Sequence, residues 1–268
     1  MTAKLDFHTA CYSHHLDGSL AIIDFSGDIY QLGTCMETKA TFLSLLHSLN
    51  DSPEIKGLLL LNSPGVFGDE KYCHFMHSAL VARGGRPCLY SRSAKLSDNP
   101  IKMERWKNAL SQITQEVLKF KKLLVVGFEG DVASSFFGTA LAADYRYGTD
   151  EMTFQSSHLR LGLPPGGGLG FFLPRFTSQP KARDLLFSTE PTSASDLHQL
   201  GLLDGHFPSS VFRNECKQIA SDLIKMPIQA IVGVKSITQR HCQDLIAFHE
   251  YEDRAMDQAC AKQIFHKG

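Results

Sequence analysis

KKLLVVGFEGDVASSFFGTALAADYRYG, residues 121–148, carries the fold in miniature. Leu123–Phe128 is an apolar, β-branched run of strand length, the pattern of a strand covered on both faces. Gly130 supplies a turn, helical spacing covers about 134–143, and a short strand is predicted at about 145–147. Upstream, helical spacing over about 103–120 leads into the first strand. Helix, strand, turn, helix and strand in succession describe an α/β domain with a parallel sheet.

Toward the N-terminus, the alternating segment at 11–15, the Asp17-Gly18 pair and the apolar run Leu20–Phe25 predict a β-hairpin, because Asp-Gly supplies the positive φ of a tight turn. Phe42, Leu43, Leu45, Leu46 and Leu49 keep helical spacing over 36–49, and Asn50-Asp51-Ser52-Pro53 stops that helix. The strand GLLLLN ends at Asn62. Ser63-Pro64-Gly65 then turns the chain into a helix from about Asp69, which Gly84-Gly85-Arg86-Pro87 breaks, and the stretch to Asn99-Pro100 reads as loop. Downstream, 162–170 reads as loop, while 180–188, 193–201 and 209–225 read as helices with serine starts. The last third is nearly all helix, and no internal repeat or low-complexity tract interrupts the chain.

The 268 residues are 43% hydrophobic and 21% charged, which suits one ordinary globular domain with a packed core. A formal net charge of −1 with scattered Lys and Arg leaves no basic stripe for nucleic acid or an anionic membrane. The apolar runs fall far short of the roughly 20 residues that span a bilayer. The first residues lack the order of a secretory signal, so the expectation is a cytoplasmic protein. Seven cysteines (Cys11, Cys35, Cys73, Cys88, Cys216, Cys242, Cys260) are spread widely and never spaced C-x-x-C. That argues against a zinc site and a disulfide framework, leaving reduced, mostly buried thiols.

Several enzyme classes drop out on motif grounds. Reading G-x-G-x-x-G from Gly166 puts Phe171 at the last glycine, so PPGGGLGFF is not a dinucleotide fingerprint. No G-x-x-x-x-G-K-[ST] phosphate loop and no G-x-S-x-G nucleophile elbow occurs.

What remains is an ordered constellation: residues 121–148, then MTFQSSHLRLGLPPGGGLGFFLPRF, then KARDLLFSTEPTSASDLHQLGLLDGHFP. Gly130, Asp144, Arg146, Tyr147, Leu161, Gly162, Pro165, Gly166, Gly168, Leu173, Pro174 and Arg175 fall in register. Glu190-Pro191, Ser193-Ala194 and Leu200-Gly201-Leu202-Leu203 continue it over roughly 120–208. In these motifs the chain resembles the enoyl-CoA hydratase/isomerase (crotonase) superfamily.

The resemblance implies a crotonase-like ββα superhelix, stacked β-sheets with surrounding helices, over 1–208. A C-terminal helical region would occupy 209–268; in the family such helices build homotrimers, often paired as hexamers. It also implies an acyl-CoA or acyl-carrier-protein thioester as substrate, with CoA or phosphopantetheine present only as part of that substrate, and no metal or redox cofactor. Two backbone N–H groups would bind the thioester oxygen and stabilise an enolate. One falls at Ser135, where the family has a glycine-rich turn, and the other at Gly68 in NSPGVFGDEKY. Phe67 and Lys71 then lie near where the family holds the CoA nucleotide. The simpler account of Gly68-Asp69 is a turn and a helix N-cap.

At the positions of the two hydratase glutamates the resemblance finds Gly138, assigned to substrate contact, and His158. Without that carboxylate pair, standard hydration is not expected, and isomerisation or decarboxylation takes its place. His158 becomes the candidate proton carrier, set against a partly exposed packing histidine. Glu70, His74 and His77 share a helical face beside Gly68, read chiefly as a solvated face. Glu129 and Asp131 read as turn or capping residues. Phe136, Phe137, Phe171 and Phe172 form either a crowded apolar pocket or core. The reading favours an isomerase or lyase over a catalytically inactive homologue that binds thioesters or proteins.

Overall fold

A computed structural model of the chain describes residues 6–81 and 101–265. The break expected at 84–87, the loop to Asn99-Pro100 and Cys88 lie outside the described residues.

Strands β1 (Asp6–His8), β2 (Tyr12–Asp17) and β3 (Leu20–Phe25) form an antiparallel meander. Gly18, at φ 59°, makes the Asp-Gly turn that the sequence requires. Helices α1 (Gln31–Thr34) and α2 (Met36–Asp51) lead to β4 (Gly57–Asn62), parallel to β3. Next come α3 (Asp69–Val81), α4 (Ile101–Lys119) and β5 (Leu123–Phe128), the last parallel to β4. The chain continues as β6 (Asp131–Ala133), α5 (Ser134–Ala140), β7 (Tyr145–Thr149), β8 (Thr153–Gln155), α6 (Ser157–Arg160) and α7 (Leu169–Phe176). It then forms α8 (Gln179–Phe187), β9 (Thr192–Ser193), α9 (Ala194–Gln199) and β10 (Gly205–Phe207). Helices α10 (Phe212–Leu223), α11 (Ile228–Thr238) and α12 (Leu245–Phe265) follow, with a 3-10 turn at Gln239–Cys242 between the last two.

Seven strands make one sheet in the order β1-β2-β3-β4-β5-β7-β10, and β6-β8-β9 make a second, smaller one. Period-two alternation explains why β4 and β5 are apolar throughout. Leu58, Leu60, Leu124 and Val126 face a core shared with α2, α4 and α5, while Leu59, Leu61, Leu123 and Val125 face Phe212, Cys216 and Ala220 of α10. Each such side chain, fully buried, stabilises the fold by roughly 1.5–3 kcal/mol.

Two local expectations change. The loop expected over 162–170 already becomes helix at Leu169, directly after Gly168 at φ 74°. The small sheet and β10 were not foreseen, because strands of two or three residues are too short to show alternation. Six cysteines among the described residues take part in no disulfide, five of them buried and Cys35 half-buried. Among the described residues no helix is long and apolar enough to cross a membrane.

Candidate active site

Parallel pairing brings the C-terminal ends of β4 and β5 side by side, so the loops that leave them must meet. Asn62, fully buried, ties them together. Its Nδ2 donates to the carbonyls of Ser63 and Glu129 at 2.9 Å each, and its Oδ1 accepts from the Glu129 amide at 3.2 Å. The Ala133 amide donates to the Phe67 carbonyl at 2.9 Å, and the Asp69 amide donates to Asp131 Oδ2 at 2.8 Å. Gly68 and the start of α5 are thereby held across from one another. A Cβ at Gly68 would come within 2.9 Å of Asp131 Oδ1, so a larger residue there would have to displace the carboxylate that joins the two loops.

At the start of α5 the first amide, that of Ser134, donates to Ser157 Oγ at 3.4 Å. The next, that of Ser135, lies in the turn where helical amides have no partner within their own helix. Neither this amide nor that of Gly68 meets an acceptor among the described residues. The Ser135 hydroxyl is occupied: it hydrogen-bonds Tyr72 Oη at 2.7 Å in the interior. Burial drives the Tyr72 phenol far above its usual range, so it stays neutral.

Three spaces surround this junction. Phe67 and Phe136, the neighbours of the two candidate donors, stack at 4.8 Å. Beneath them lies an apolar cavity of about 80 Å³, walled by Phe25, Leu60, Trp106, Leu110, Val126 and Phe128 among others. On the outer side a polar groove carries Lys71, Lys102 and Arg160 together with Asp28, Asp69, Glu70 and Asp131. Arg160 pairs with the Asp69 carboxylate, and Lys102 Nζ donates to Ser78 Oγ at 2.6 Å. The third space is a cavity of about 20 Å³ bounded by Tyr72, Ser135, Gly166, Gly167 and Glu252.

The structure brings Gly68, Ser135, Phe67 and Lys71 to one junction, though not with the roles foreseen for all of them. Lys71 is exposed on the groove, whereas Phe67 is buried and lines the apolar cavity rather than an outer nucleotide position. Gly138 is covered: a Cβ there would meet the Gly167 carbonyl at 2.8 Å and Leu169 Cβ at 2.9 Å. His158 is buried, not partly exposed, and lines none of the three spaces. Its Nε2–H donates to the Leu186 carbonyl at 3.0 Å, and burial lowers its pKa. A ring held in this way faces α8 rather than Ser135.

Glu70, His74 and His77 all line the groove, with Glu70 and His74 exposed as expected of a solvated face. His77 is instead buried, and burial, with His74 nearby, lowers its pKa. Asp131 does act as a cap, accepting from the first amide of α3, whereas the Glu129 side chain ion-pairs with Arg213 of α10. Asn62, Tyr72 and Glu252 escaped the sequence reading. Tyr72, one helical turn beyond Gly68, left a usable signal; Glu252 lay within the helical last third, whose docking partner no pattern specifies.

Comparison with known proteins places the fold in a class. The enoyl-CoA hydratase of Bacillus halodurans superposes with a TM-score of 0.75 at 15% identity, covering 94% of this chain and 96% of that one. An enoyl-CoA hydratase/isomerase from Mycobacterium paratuberculosis gives 0.75 at 16% identity, covering 96% of both chains. The fold is the crotonase fold. The enoyl-CoA hydratase/isomerase family profile matches residues 93–268, and the chain belongs to that family. Relatives include Bacillus subtilis YhaR, named for the same family, 26% identical over 141 residues, which are 53% of this chain and 55% of that protein. The 4-chlorobenzoyl coenzyme A dehalogenase-1 of Arthrobacter is 23% identical over 141 residues, 48% of this chain and 51% of that one. The chain spans about half the length of the curated relatives it matches.

Proposed function

We propose that this protein binds an acyl-CoA or acyl-carrier-protein thioester and stabilises its enolate, with isomerisation or decarboxylation as the reaction rather than standard hydration. What supports the reading is the junction of the two strand-end loops, tied together by the Ala133–Phe67 and Asp69–Asp131 hydrogen bonds, with the amides of Gly68 and Ser135 meeting no acceptor among the described residues. Preorganised amides of this kind, aimed at developing negative charge, are worth about 10²–10³ in rate each. The apolar cavity under Phe67 and Phe136 suits a short acyl chain, and Lys71 on the groove suits a phosphorylated carrier. The names of the relatives, among them a coenzyme A dehalogenase, point to the same substrate class.

Hydration by paired carboxylates has no support at Gly138, which is covered, or at His158, which faces Leu186. The same two observations favour a second reading, a catalytically inactive homologue that binds thioesters or a protein partner. Crotonyl-CoA and a malonyl-type thioester, offered separately and followed by calorimetry for binding and by chromatography for product, distinguish the readings. The first expects binding and product from at least one of the pair, the second binding alone. Absence of binding to either rejects the thioester site.

A further inference from the structure

The smallest of the three cavities joins the candidate donor residue to a carboxyl group that no sequence motif singled out. Glu252 projects from α12 toward the glycine loop between α6 and α7, and the Gly168 amide donates to its Oε2 at 3.3 Å. Its other oxygen, Oε1, is buried and meets no partner among the described residues. Across about 20 Å³, room for one water, stand Ser135 and Tyr72, already hydrogen-bonded to each other, and the backbone at Gly166 and Gly167. The loop is pressed so closely on α5 that a Cβ at Gly167 would lie 2.2 Å from the Ser135 carbonyl oxygen. Trp106 and Leu110 belong to the walls of both this cavity and the apolar one. A buried carboxyl group and the candidate donor residue Ser135 therefore line one and the same cavity.

We propose that Glu252, supplied by the C-terminal helix, carries the proton of the enolate step, directly or through one water of the cavity it lines. The inference rests on the thioester reading above. In the step, the Cα–H bond of the bound thioester breaks and its electron pair passes through the forming C=C bond onto the carbonyl oxygen at the Gly68 and Ser135 amides. The proton goes to the Glu252 carboxylate. Returned to Cα it regenerates the thioester; returned to Cγ of a β,γ-enoyl chain it moves the double bond into conjugation. No oxidant, reductant or co-reactant is consumed.

Among the described residues, the groups facing Glu252 leave it without a cation of its own. Tyr72 on α3 is neutral, Lys107 on α4 is engaged by Glu104 and Asp257, and the glycine loop offers only amides. On α12 itself, His249 is held neutral by burial and Asp253 adds like charge. Burial, with Asp253, pushes the Glu252 carboxyl up to about 8, and hydrogen bonds from Gly168 and Gly167 offset only part of that. Proton abstraction by the carboxylate accordingly strengthens as pH rises through that value.

Deuterium uptake at Cα tests this without knowledge of the natural acyl chain. Butyryl-CoA in D₂O is incubated with the whole protein and with Glu252→Gln, which keeps an oxygen acceptor for the Gly168 amide; mass spectrometry reads exchange, calorimetry reads binding and a thermal melt reads folding. The expected result is exchange by the native protein with an inflection near pH 8, and about a 10²-fold or greater loss in Glu252→Gln with binding retained. Undiminished exchange in a folded Glu252→Gln overturns the role of Glu252 and leaves the thioester site standing. Binding without exchange by the native protein also overturns it and supports the inactive reading. Absence of both binding and exchange removes the thioester site itself, and this role with it. Should Glu252→Gln not fold, the native pH profile decides: a flat profile from pH 6 to 10 rejects the assignment.

Discussion

Asn62 shows how much one buried side chain can fix. Its amide spans two strand ends with three hydrogen bonds, and those strand ends set the separation of the Gly68 and Ser135 loops. Asn62→Ala removes these bonds and leaves buried backbone groups of Glu129 unpaired, at a cost of about 1–3 kcal/mol per orphaned group. Denaturant unfolding should show that loss, and titration with butyryl-CoA should show weaker binding as the loops separate. The sequence marked Asn62 only as the end of GLLLLN, since its partners lie on another strand. The same limit explains His158 and Gly138. Their positions in the chain could be aligned, but the direction of the His158 ring is set by the carbonyl of Leu186, and the space beside Gly138 by Gly167 and Leu169. Neither neighbour is fixed by a motif.

Among the elements, the long periodic ones could be read directly. The strands Leu20–Phe25, Gly57–Asn62 and Leu123–Phe128 were bounded to the residue because continuous apolar runs between turn signals leave little freedom. α12 was readable as part of a helical last third, but not its berth. Leu245, His249 and Met256 are buried, Ser111 Oγ on α4 hydrogen-bonds His249 Nδ1 at 2.8 Å, and Lys107 Nζ reaches Asp257 Oδ1 at 2.7 Å, so the helix packs on its own chain. Met256→Ala should cost roughly 2–5 kcal/mol by opening a void in this contact. Hydrogen exchange is expected to rise first in α12 and in the 162–168 loop beneath it, with β4 and β5 still protected.

For the molecule as a whole, buried ionisable groups set the response to pH. Burial lowers the pKa of His77, His158 and His249, the last from 6.5 to about 4. The unfolded chain takes up protons near 6.5 that the folded chain resists, so this stability is complete above that pH and is lost as pH falls through it. For His249 the full loss is about 3 kcal/mol. Glu252 has the opposite sign. Its folded pKa of about 8 exceeds the ordinary 4.5, so its contribution is complete below 4.5 and is lost as pH rises toward 8. Glu252→Gln should therefore be more stable than the native protein at pH 8–9, and the advantage should shrink toward pH 5 in denaturant titrations. That outcome is typical where a group is held against its preferred charge for the sake of chemistry.

Chain order adds one more consequence. α12 follows every other described element, so a ribosome releases β1 through α11 before the segment bearing Glu252. A nascent chain can close its sheet around the apolar cavity while the tunnel still holds the carboxyl group. On the proposed reading, a chain that has emerged only through α11 binds a thioester without exchanging its Cα proton, and exchange begins once α12 docks on α4.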